Sequence, residues 1–338
     1  MMNPESKQPS PQLFFETVSA YQRSAAIKTA IELAIFTAIG EGKSTAAEIA
    51  QRCGAAERGA RILCDYLVMI GFLTKQDGRY GLTQDSAVFL NQHSPAYLGG
   101  VIEFLKSPMI VEGFTVLTEA VRKGGAATDD AATTAPENPV WVKFARAMTA
   151  MMRFPAQAIS ELIDPDANTR IKVLDIAAGH GLFGIAFAAR NPNAEVYAVD
   201  WAPVLEVASE HAQAAGVTDR YHVIAGSAFD VDFGADYDLV LLTNFLHHFD
   251  VAANEALLKK VHAARKEGGR AVTLEFVPND DRVSPTLAAG FSLSMLAGTP
   301  GGDAYTFKEL ESMFSNAGFA RSEMHEIPPM QRLIVSHV

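Results

Sequence analysis

The sequence predicts an α/β protein in which a Rossmann-like sheet follows an N-terminal all-helical, winged-helix domain. Three observations support this fold class. After about residue 165, apolar strand segments alternate with helical segments, a pattern typical of a parallel sheet that helices cover on both faces. The first of these strands runs into a glycine-rich loop, VLDIAAGHGLFG, at residues 173–184. Before residue 95 the order is helix, helix, helix and β-hairpin, which is the order of a winged-helix unit.

Composition and charge limit the class of protein. The chain has 338 residues, of which 49% are apolar and 20% are charged, enough for two folded domains. Its net charge of −11 argues against nucleic acid or an anionic membrane as a partner, because like charges repel. The polar start, MMNPESKQPSPQ, does not resemble a signal peptide, and no apolar run predicts a membrane span. Since two cysteines do not make a disulfide framework, we expect a cytoplasmic protein.

The chain is predicted to divide into four parts. These are a disordered tail (1–11), a winged-helix-like domain (12–95), a helical connector (96–164) and a domain of alternating strands and helices (165–338).

The N-terminal domain begins with an apolar helical pattern from Leu13 to Ile39. The next helix has Thr45 or the preceding serine as its cap, with Glu48 placed for a capping box. A third helix over 56–70 and the hairpin LTKQDGRYGLT follow. The long apolar first helix needs a partner, and a second copy of the chain provides one. We therefore expect a homodimer built largely by this domain.

DNA binding is the common alternative for a winged-helix unit. The candidate recognition helix is mostly apolar, however, and its basic residues Arg58 and Arg61 lie beside the acids Glu57 and Asp65. This charge pattern disfavours a phosphate backbone as the partner.

The helical connector contains a loose insert at 123–139 and then the segment VWVKFARAMTAMMRFPAQAISELI. This segment is rich in Met and aromatic residues, which pack in a core more often than they line a pocket. As candidates for a pocket wall it offers Met148, Met152 and Phe154.

The glycine-rich loop Gly179-x-Gly181-x-x-Gly184 raises the question of which cofactor it holds. In nicotinamide-binding domains the loop receives an anionic pyrophosphate, but here Asp175 ends the strand and Ala177 lengthens the loop. An acid at this point suits a cationic ligand, and S-adenosylmethionine carries a sulfonium and an ammonium. Asp200, at the end of the next strand, suits ribose hydroxyls in either class of cofactor.

These residues resemble the class I S-adenosylmethionine-dependent methyltransferases. Over nearly its whole length the chain is similar to the dimeric small-molecule O-methyltransferases, which include plant caffeate and flavonoid enzymes, acetylserotonin methyltransferase and bacterial natural-product enzymes. The resemblance implies a seven-stranded sheet whose last strand is antiparallel. It also implies S-adenosyl-L-methionine as cofactor. The cofactor-binding residues it implies are Asp175, Ala177, Gly179, Gly181, Asp200, Trp201, Ser227, Ala228, Phe229 and Asn244.

The resemblance also assigns chemistry to the segment LLTNFLHHFD, at residues 241–250. The family's general base falls on His247, and the acid that orients it falls on Glu275. A second acid of the family falls on Ala304, beside Asp303, so it is missing here. An imidazole can take the proton of a hydroxyl as the oxygen attacks, and a carboxylate behind the ring stabilises the imidazolium.

Other interpretations of the two adjacent histidines remain open. They could be structural, or they could bind a metal, although adjacent side chains point apart and no third ligand spacing is evident. We expect no metal.

The sequence therefore predicts an S-adenosylmethionine-dependent O-methyltransferase that acts on a hydroxyl of a small aromatic or polyketide-like metabolite. The candidate substrate pocket is formed by Met148, Met152, Phe154, His248, Phe291 and Met295. One alternative is C- or N-methylation on the same fold. Alternatives of other classes are a cofactor-sensing winged-helix regulator and a nicotinamide oxidoreductase.

Overall fold

The computed structural model describes residues 8–128, 139–164, 166–327 and 331–338. The chain forms two compact units, the first ending at Ile102 and the second beginning at Glu103. Residues 1–7 of the predicted tail and residues 129–138 of the predicted insert lie outside the described part of the chain.

The first unit consists of helices and one hairpin. Its elements are α1 (Gln12–Val18), α2 (Tyr21–Glu32), α3 (Ile35–Gly40), α4 (Ala46–Cys53), α5 (Glu57–Met69), β1 (Leu73–Gln76), β2 (Arg79–Leu82) and α6 (Gln84–Phe89). A short helix, α7 (Val101–Leu105), follows where the two units join in sequence.

The capping box predicted for the second helical segment is present. The Thr45 side chain accepts from the backbone N–H of Glu48, and the Glu48 carboxylate accepts from the backbone N–H of Thr45. The predicted hairpin is also present, with Asp77 and Gly78 both at positive φ in the turn. That conformation suits a two-residue connection between antiparallel strands.

The single long helix predicted from Leu13 to Ile39 is wrong, since this segment forms α1, α2 and α3. The second break is at Ala34, whose φ of 55° is left-handed. Alanine adopts this conformation rarely. An alanine within an apolar helical pattern therefore does not indicate a helix break. The core of the unit lies beneath α3, α4 and α5 and includes Phe36, Ile49 and Leu67.

The second unit consists of a sheet with helices on both sides. Its helices are α8 (Pro108–Thr115), α9 (Leu117–Lys123), α10 (Val140–Ile163), α11 (Leu182–Arg190), α12 (Ala202–Ala214), α13 (Val251–Ala264), α14 (Thr286–Gly298) and α15 (Phe307–Asn316). Its strands are β3 (Ile171–Ile176), β4 (Ala194–Asp200), β5 (Tyr221–Ala225), β6 (Tyr237–Thr243), β7 (Arg265–Glu275), β8 (Arg321–Ile327) and β9 (Gln331–His337).

The predicted seven-stranded sheet, with its antiparallel last strand, is confirmed. The strand order is β5-β4-β3-β6-β7-β9-β8. Strands β3 to β7 pair in parallel, and β9 runs antiparallel between β7 and β8. The central strands are buried on both faces, because helices cover the sheet from both sides.

Helix α10, predicted as part of a separate connector, lies in the same compact unit as the sheet. Its residue Ala145 packs against Val204 and Val207 of α12. Arg146 of α10 also forms a two-pronged ion pair with Glu210 of α12, at 2.8 and 2.9 Å. Among the described residues, no helix is both long enough and apolar enough to cross a membrane.

Candidate active site

The carboxyl ends of the parallel strands β3, β4, β6 and β7 lie at one edge of the sheet. In doubly wound folds ligands bind at this edge. Asp175 is the penultimate residue of β3, and Asp200 and Glu275 are the last residues of β4 and β7. The parallel pairing therefore brings three acids, far apart in sequence, to one side of the molecule.

The loop after β3 has the backbone that its glycines and small residues predict. Ala177, Gly179 and Gly181 have φ values of 54°, 58° and 75°. Gly181 caps the N-terminus of α11, and a Cβ there would come within 2.7 Å of the Tyr221 hydroxyl. The loop thus leaves no room for a larger side chain at Gly181, and the backbone N–H groups of Leu182 and Gly184 at the start of α11 donate to His180 Nδ1 and Asp175 Oδ2.

Asp175 lies behind this loop and is fully buried. Its Oδ2 accepts the backbone N–H of Gly184 at 2.9 Å, while its Oδ1 has no hydrogen-bond partner. Burial raises the pKa of this carboxyl to about 7, with the Asp200 charge contributing. Because Asp175 is fully buried, its exposure does not support the predicted direct contact with a ligand. Its carboxyl instead positions the start of α11 and has one oxygen without a hydrogen-bond partner.

Asp200 is partly exposed and holds the other side of the loop. Its Oδ2 accepts the N–H of Gly179 at 2.8 Å, and its Oδ1 accepts the N–H of Trp201 at 2.7 Å. Burial raises its pKa to about 6, although both hydrogen bonds oppose the shift. A carboxylate has about four lone-pair sites, so Asp200 keeps acceptor capacity for ribose hydroxyls.

The residues predicted to lie near the adenine are arranged around the ends of β4 and β5. Trp201 is partly buried against the cluster that Ala145 forms with α12. Ser227 Oγ accepts the N–H of Phe229, Ala228 is buried, and the Phe229 ring stands edge-on to Phe249 at 4.9 Å.

Asn244, predicted to bind the cofactor, sets the backbone beyond β6. Its φ is 56°, its N–H donates to the carbonyl of Leu274 at 2.8 Å, and its side-chain oxygen accepts from the Gln331 amide. Gln331 is buried and begins β9. This partner could not be predicted, because nothing in the sequence pattern links residue 331 to residue 244.

His247 and Glu275, predicted as a pair, are in contact. His247 Nδ1 lies 2.5 Å from Glu275 Oε2, and both side chains are buried. Glu275 Oε1 accepts the backbone N–H groups of Phe245 and Leu246, each at 2.9 Å. The carboxylate accepts from Nδ1–H, which leaves Nε2 as the basic nitrogen of the ring.

Aromatic rings surround the two histidines. The Phe291 ring stands perpendicular to the His247 ring at 4.9 Å, and Phe276 stacks on Phe291 at 4.3 Å. The ring centroids of His248 and His247 are 4.3 Å apart, and the rings of Trp141 and Phe249 stand edge-on to His248 at 5.3 and 6.2 Å. The pair is thus enclosed by flat apolar surfaces, which suits an aromatic ligand.

The segment around Ala304 lacks the second acid, as the sequence indicates. Ala304 is fully buried, and Asp303 instead pairs with Arg282 at 3.0 Å. Glu275 is therefore the carboxylate that supports His247.

Of the remaining residues predicted to line the pocket, Met148, Met152 and Met295 are buried. Phe154, also predicted to line the pocket, is 59% exposed. Two residues beyond Met152 on α10, it points to a different side of the helix. Within the described ranges, no group of three or more His, Cys, Asp or Glu side chains is arranged to hold a metal ion.

Comparison with known sequences identifies the family. The O-methyltransferase domain matches residues 117–320, and the O-methyltransferase dimerisation domain matches residues 15–92. The chain belongs to the O-methyltransferase family.

Among solved structures, a candidate O-methyltransferase from Nostoc punctiforme is 58% identical, with a TM-score of 0.95 over 98% of this chain and 100% of that one. The 3-hydroxy-5-methyl-1-naphthoate 3-O-methyltransferase of Streptomyces sahachiroi is 29% identical over 91% of this chain and 89% of its own length.

The S-adenosyl-L-methionine-dependent methyl transferase PigF of Serratia is 27% identical over 93% of this chain and 92% of its own. The solved structure of PigF with SAH has the same fold, with a TM-score of 0.84 over 98% of this chain and 100% of that one.

Proposed function

We propose that this O-methyltransferase uses S-adenosyl-L-methionine to methylate a hydroxyl of a small aromatic or polyketide-like metabolite, with His247 as general base and Glu275 as its positioning residue. The observation that carries the proposal is the contact of 2.5 Å between His247 Nδ1 and Glu275 Oε2. The same carboxylate holds the two preceding backbone N–H groups, so ring and backbone are positioned together.

The residues beside the glycine loop fit a cationic cofactor. Asp175 has a buried oxygen with no partner, and the pKa values of Asp175 and Asp200 are raised to about 7 and about 6. Burial is the main cause of both shifts, and a cation nearby would favour the charged form of each carboxyl. Gly179, Gly181 and Asp200 would hold S-adenosylmethionine, which supplies a methyl group activated by a sulfonium, and the buried Asp175 would support the loop from behind.

The proposed role of His247 is proton removal at Nε2. Since Glu275 accepts Nδ1–H, Nε2 is free to take the proton of the acceptor hydroxyl as its oxygen becomes nucleophilic. The negative carboxylate then stabilises the imidazolium. The aromatic rings of Phe291 and Trp141 orient a flat acceptor and exclude water. Alignment of this kind can supply roughly 7–11 kcal/mol of the barrier reduction.

Dimerisation through the first unit is supported by the matched dimerisation domain and by the surface of α1. Leu13, Phe14 and Phe15 are 75%, 63% and 61% exposed, an apolar surface that a second copy would cover. A regulator that binds DNA is disfavoured, because Asp65 pairs with both Arg61 and Lys75 on α5 and the hairpin. Free Cys53 and Cys64 are consistent with a cytoplasmic location.

The decisive experiment is a mass-spectrometric screen of methyl transfer from S-adenosylmethionine to a library of phenols, naphthols and polyketide hydroxyls. A mass gain of one methyl group on oxygen supports the proposal. Methylation at carbon or nitrogen of the same acceptors would contradict it in favour of the other chemistry that this fold hosts.

A further inference from the structure

The ammonium group of Lys260, on helix α13, has a role that the proposed mechanism leaves unexplained. Its Nζ donates to the carbonyl oxygens of Ala228 at 3.0 Å and Phe229 at 3.2 Å, and also to the carbonyl oxygen of Val231. A lysine ammonium has three N–H donors. Three carbonyls of one short segment therefore converge on a single charged side chain and use all of its donors.

These carbonyls belong to the turn at residues 227–231 that follows β5, here called the β5 turn. On the other side of this turn, the Ser227 carbonyl accepts the N–H groups of Asp230 and Val231, both at 3.0 Å, and Ser227 Oγ accepts the N–H of Phe229 at 3.2 Å. The N–H groups thus face Ser227, and the carbonyls face Lys260. Lysine side chains commonly satisfy the free carbonyls at the end of a helical turn in this way, so Lys260 holds the carbonyl side of the β5 turn.

The Lys260 ammonium is itself fixed from other directions. It lies 4.1 Å from the centroid of the Phe233 ring, a cation–π contact, and the residue is partly buried. Burial lowers the pKa of Lys260, and the charges of Asp230 and Asp232 oppose that shift. The ammonium therefore has a defined position from which to hold the turn.

The same helix also holds the turn that carries the proposed base. Asn254 of α13 is fully buried, and its Nδ2 donates to the carbonyl of Leu246 at 2.9 Å and to the carbonyl of Phe249 at 3.2 Å. These two carbonyls flank His247 in the sequence. One helix is thus hydrogen-bonded to the histidine turn through Asn254 and to the β5 turn through Lys260.

We propose that Lys260 is a positioning residue for the cofactor, which holds the β5 turn in the shape that the adenine of S-adenosylmethionine requires. Ser227, Ala228 and Phe229, which the sequence places near the adenine, all lie in this turn. The inference rests on the proposed cofactor site. It requires that loss of Lys260 acts mainly on cofactor affinity, whereas loss of Asn254 acts mainly on the rate of methyl transfer.

The test is calorimetric binding of S-adenosylhomocysteine to the full-length enzyme. Lys260→Met keeps the length of the side chain and an apolar contact with Phe233, but it removes all three donors. Affinity should fall about tenfold, the usual effect of one charge-assisted hydrogen bond. KM for S-adenosylmethionine should rise by a larger factor than kcat falls. Lys259→Met is the matched control, because it removes the same charge from the exposed neighbouring residue, and it should bind as the wild type does.

The sign of the effect separates positioning from long-range charge. S-adenosylmethionine carries a sulfonium, so removal of a nearby positive charge would by itself favour its binding. Weaker binding to Lys260→Met therefore reports a change in the β5 turn. Lys260→Arg, whose guanidinium keeps several donors, should recover part of the affinity. Asn254→Ala should lower kcat by a larger factor than it lowers affinity.

Three results would count against the inference. Equal affinities for S-adenosylhomocysteine in Lys260→Met and Lys259→Met would reject the role of Lys260 and leave the cofactor assignment intact. Equal losses of affinity in Lys260→Met and Asn254→Ala would also reject it, because they would indicate a general loosening of α13. A folded wild-type enzyme that binds no S-adenosylhomocysteine would instead count against the cofactor site itself. Lys260→Gln, which lacks the charge, takes the place of Lys260→Met if that variant does not fold.

Discussion

Gly302 lies against the backbone of His247 so closely that a Cβ at position 302 would stand 2.1 Å from the His247 carbonyl oxygen. Gly302→Ala should therefore displace the catalytic turn and cost about 1–3 kcal/mol of stability, as overpacking commonly does. Chemical denaturation and the methyl-transfer rate measure the two effects. Gly290→Ala is the matched control, since a Cβ there meets nothing within 4 Å in helix α14. Equal behaviour of the two variants would contradict the close contact.

His247→Ala should lower the rate of methyl transfer by roughly 10²–10⁴, the usual contribution of a positioned base, with cofactor affinity nearly unchanged. Glu275→Gln should retain the fold and lose part of the rate, because an amide orients the ring but stabilises imidazolium poorly. Single-turnover kinetics and calorimetry separate the two quantities. His248→Ala should cost less than His247→Ala. If His247→Ala keeps most of its rate, the base assignment is wrong and the acceptor is already acidic or is methylated at carbon.

The sequence could predict features that depend on local pattern. The glycine loop, the capping box at Thr45 and the alternation of strands and helices each have a recognisable spacing, whereas the antiparallel last strand was implied by the family resemblance. Prediction from the sequence failed where a backbone conformation or a side-chain contact depends on residues far away in the chain. The left-handed Ala34 and the contact of Gln331 with Asn244 are of this kind, because tertiary packing decides them.

Asp200→Ala should weaken S-adenosylmethionine binding by on the order of 1.5–3 kcal/mol for each charge-assisted hydrogen bond to the ribose that the substitution removes. Part of the weakening would come from losing the two hydrogen bonds that this carboxylate accepts from the N–H groups of Gly179 and Trp201. Isothermal calorimetry checks the value, with NADH as the control ligand. Tight NADH binding without a response to the methyl donor would overturn the cofactor assignment.

Asp175→Asn should flatten the pH dependence of stability in the cofactor-free protein. The pKa of Asp175 is raised to about 7 when folded, against about 3.9 in an unfolded chain. The stabilising contribution is therefore complete below pH 4 and is lost as pH rises through about 7, by roughly 1.4 kcal/mol for each pKa unit.

Urea denaturation from pH 4 to pH 8 measures this loss. Over that range the unfolding free energy of the wild type should fall relative to that of Asp175→Asn. Above that range the difference between the two proteins should stay constant. The asparagine oxygen can still accept the Gly184 N–H, so helix α11 keeps its support. Parallel pH profiles for the two proteins would show that the carboxyl is ionised throughout.

The double variant Phe14→Glu, Phe15→Glu should convert a dimer to a monomer, because it places charge on the exposed apolar surface of α1. Glu16→Ala, a change of one charge on the same exposed helix, is the control and should remain dimeric. Sedimentation velocity at micromolar concentration distinguishes the two. A wild-type chain that sediments as a monomer would refute the assembly.

The contact between Asn244 and Gln331 joins residues 87 positions apart, and it has a consequence for the order in which the enzyme matures. On the ribosome, the segment that carries His247 emerges well before strand β9. Until β9 inserts beside β7, the turn after Asn244 lacks the amide that holds its side chain. We therefore expect the glycine loop and most of the parallel sheet to form before β9 inserts, so that the turn after Asn244 is the last part of the site to be held in place.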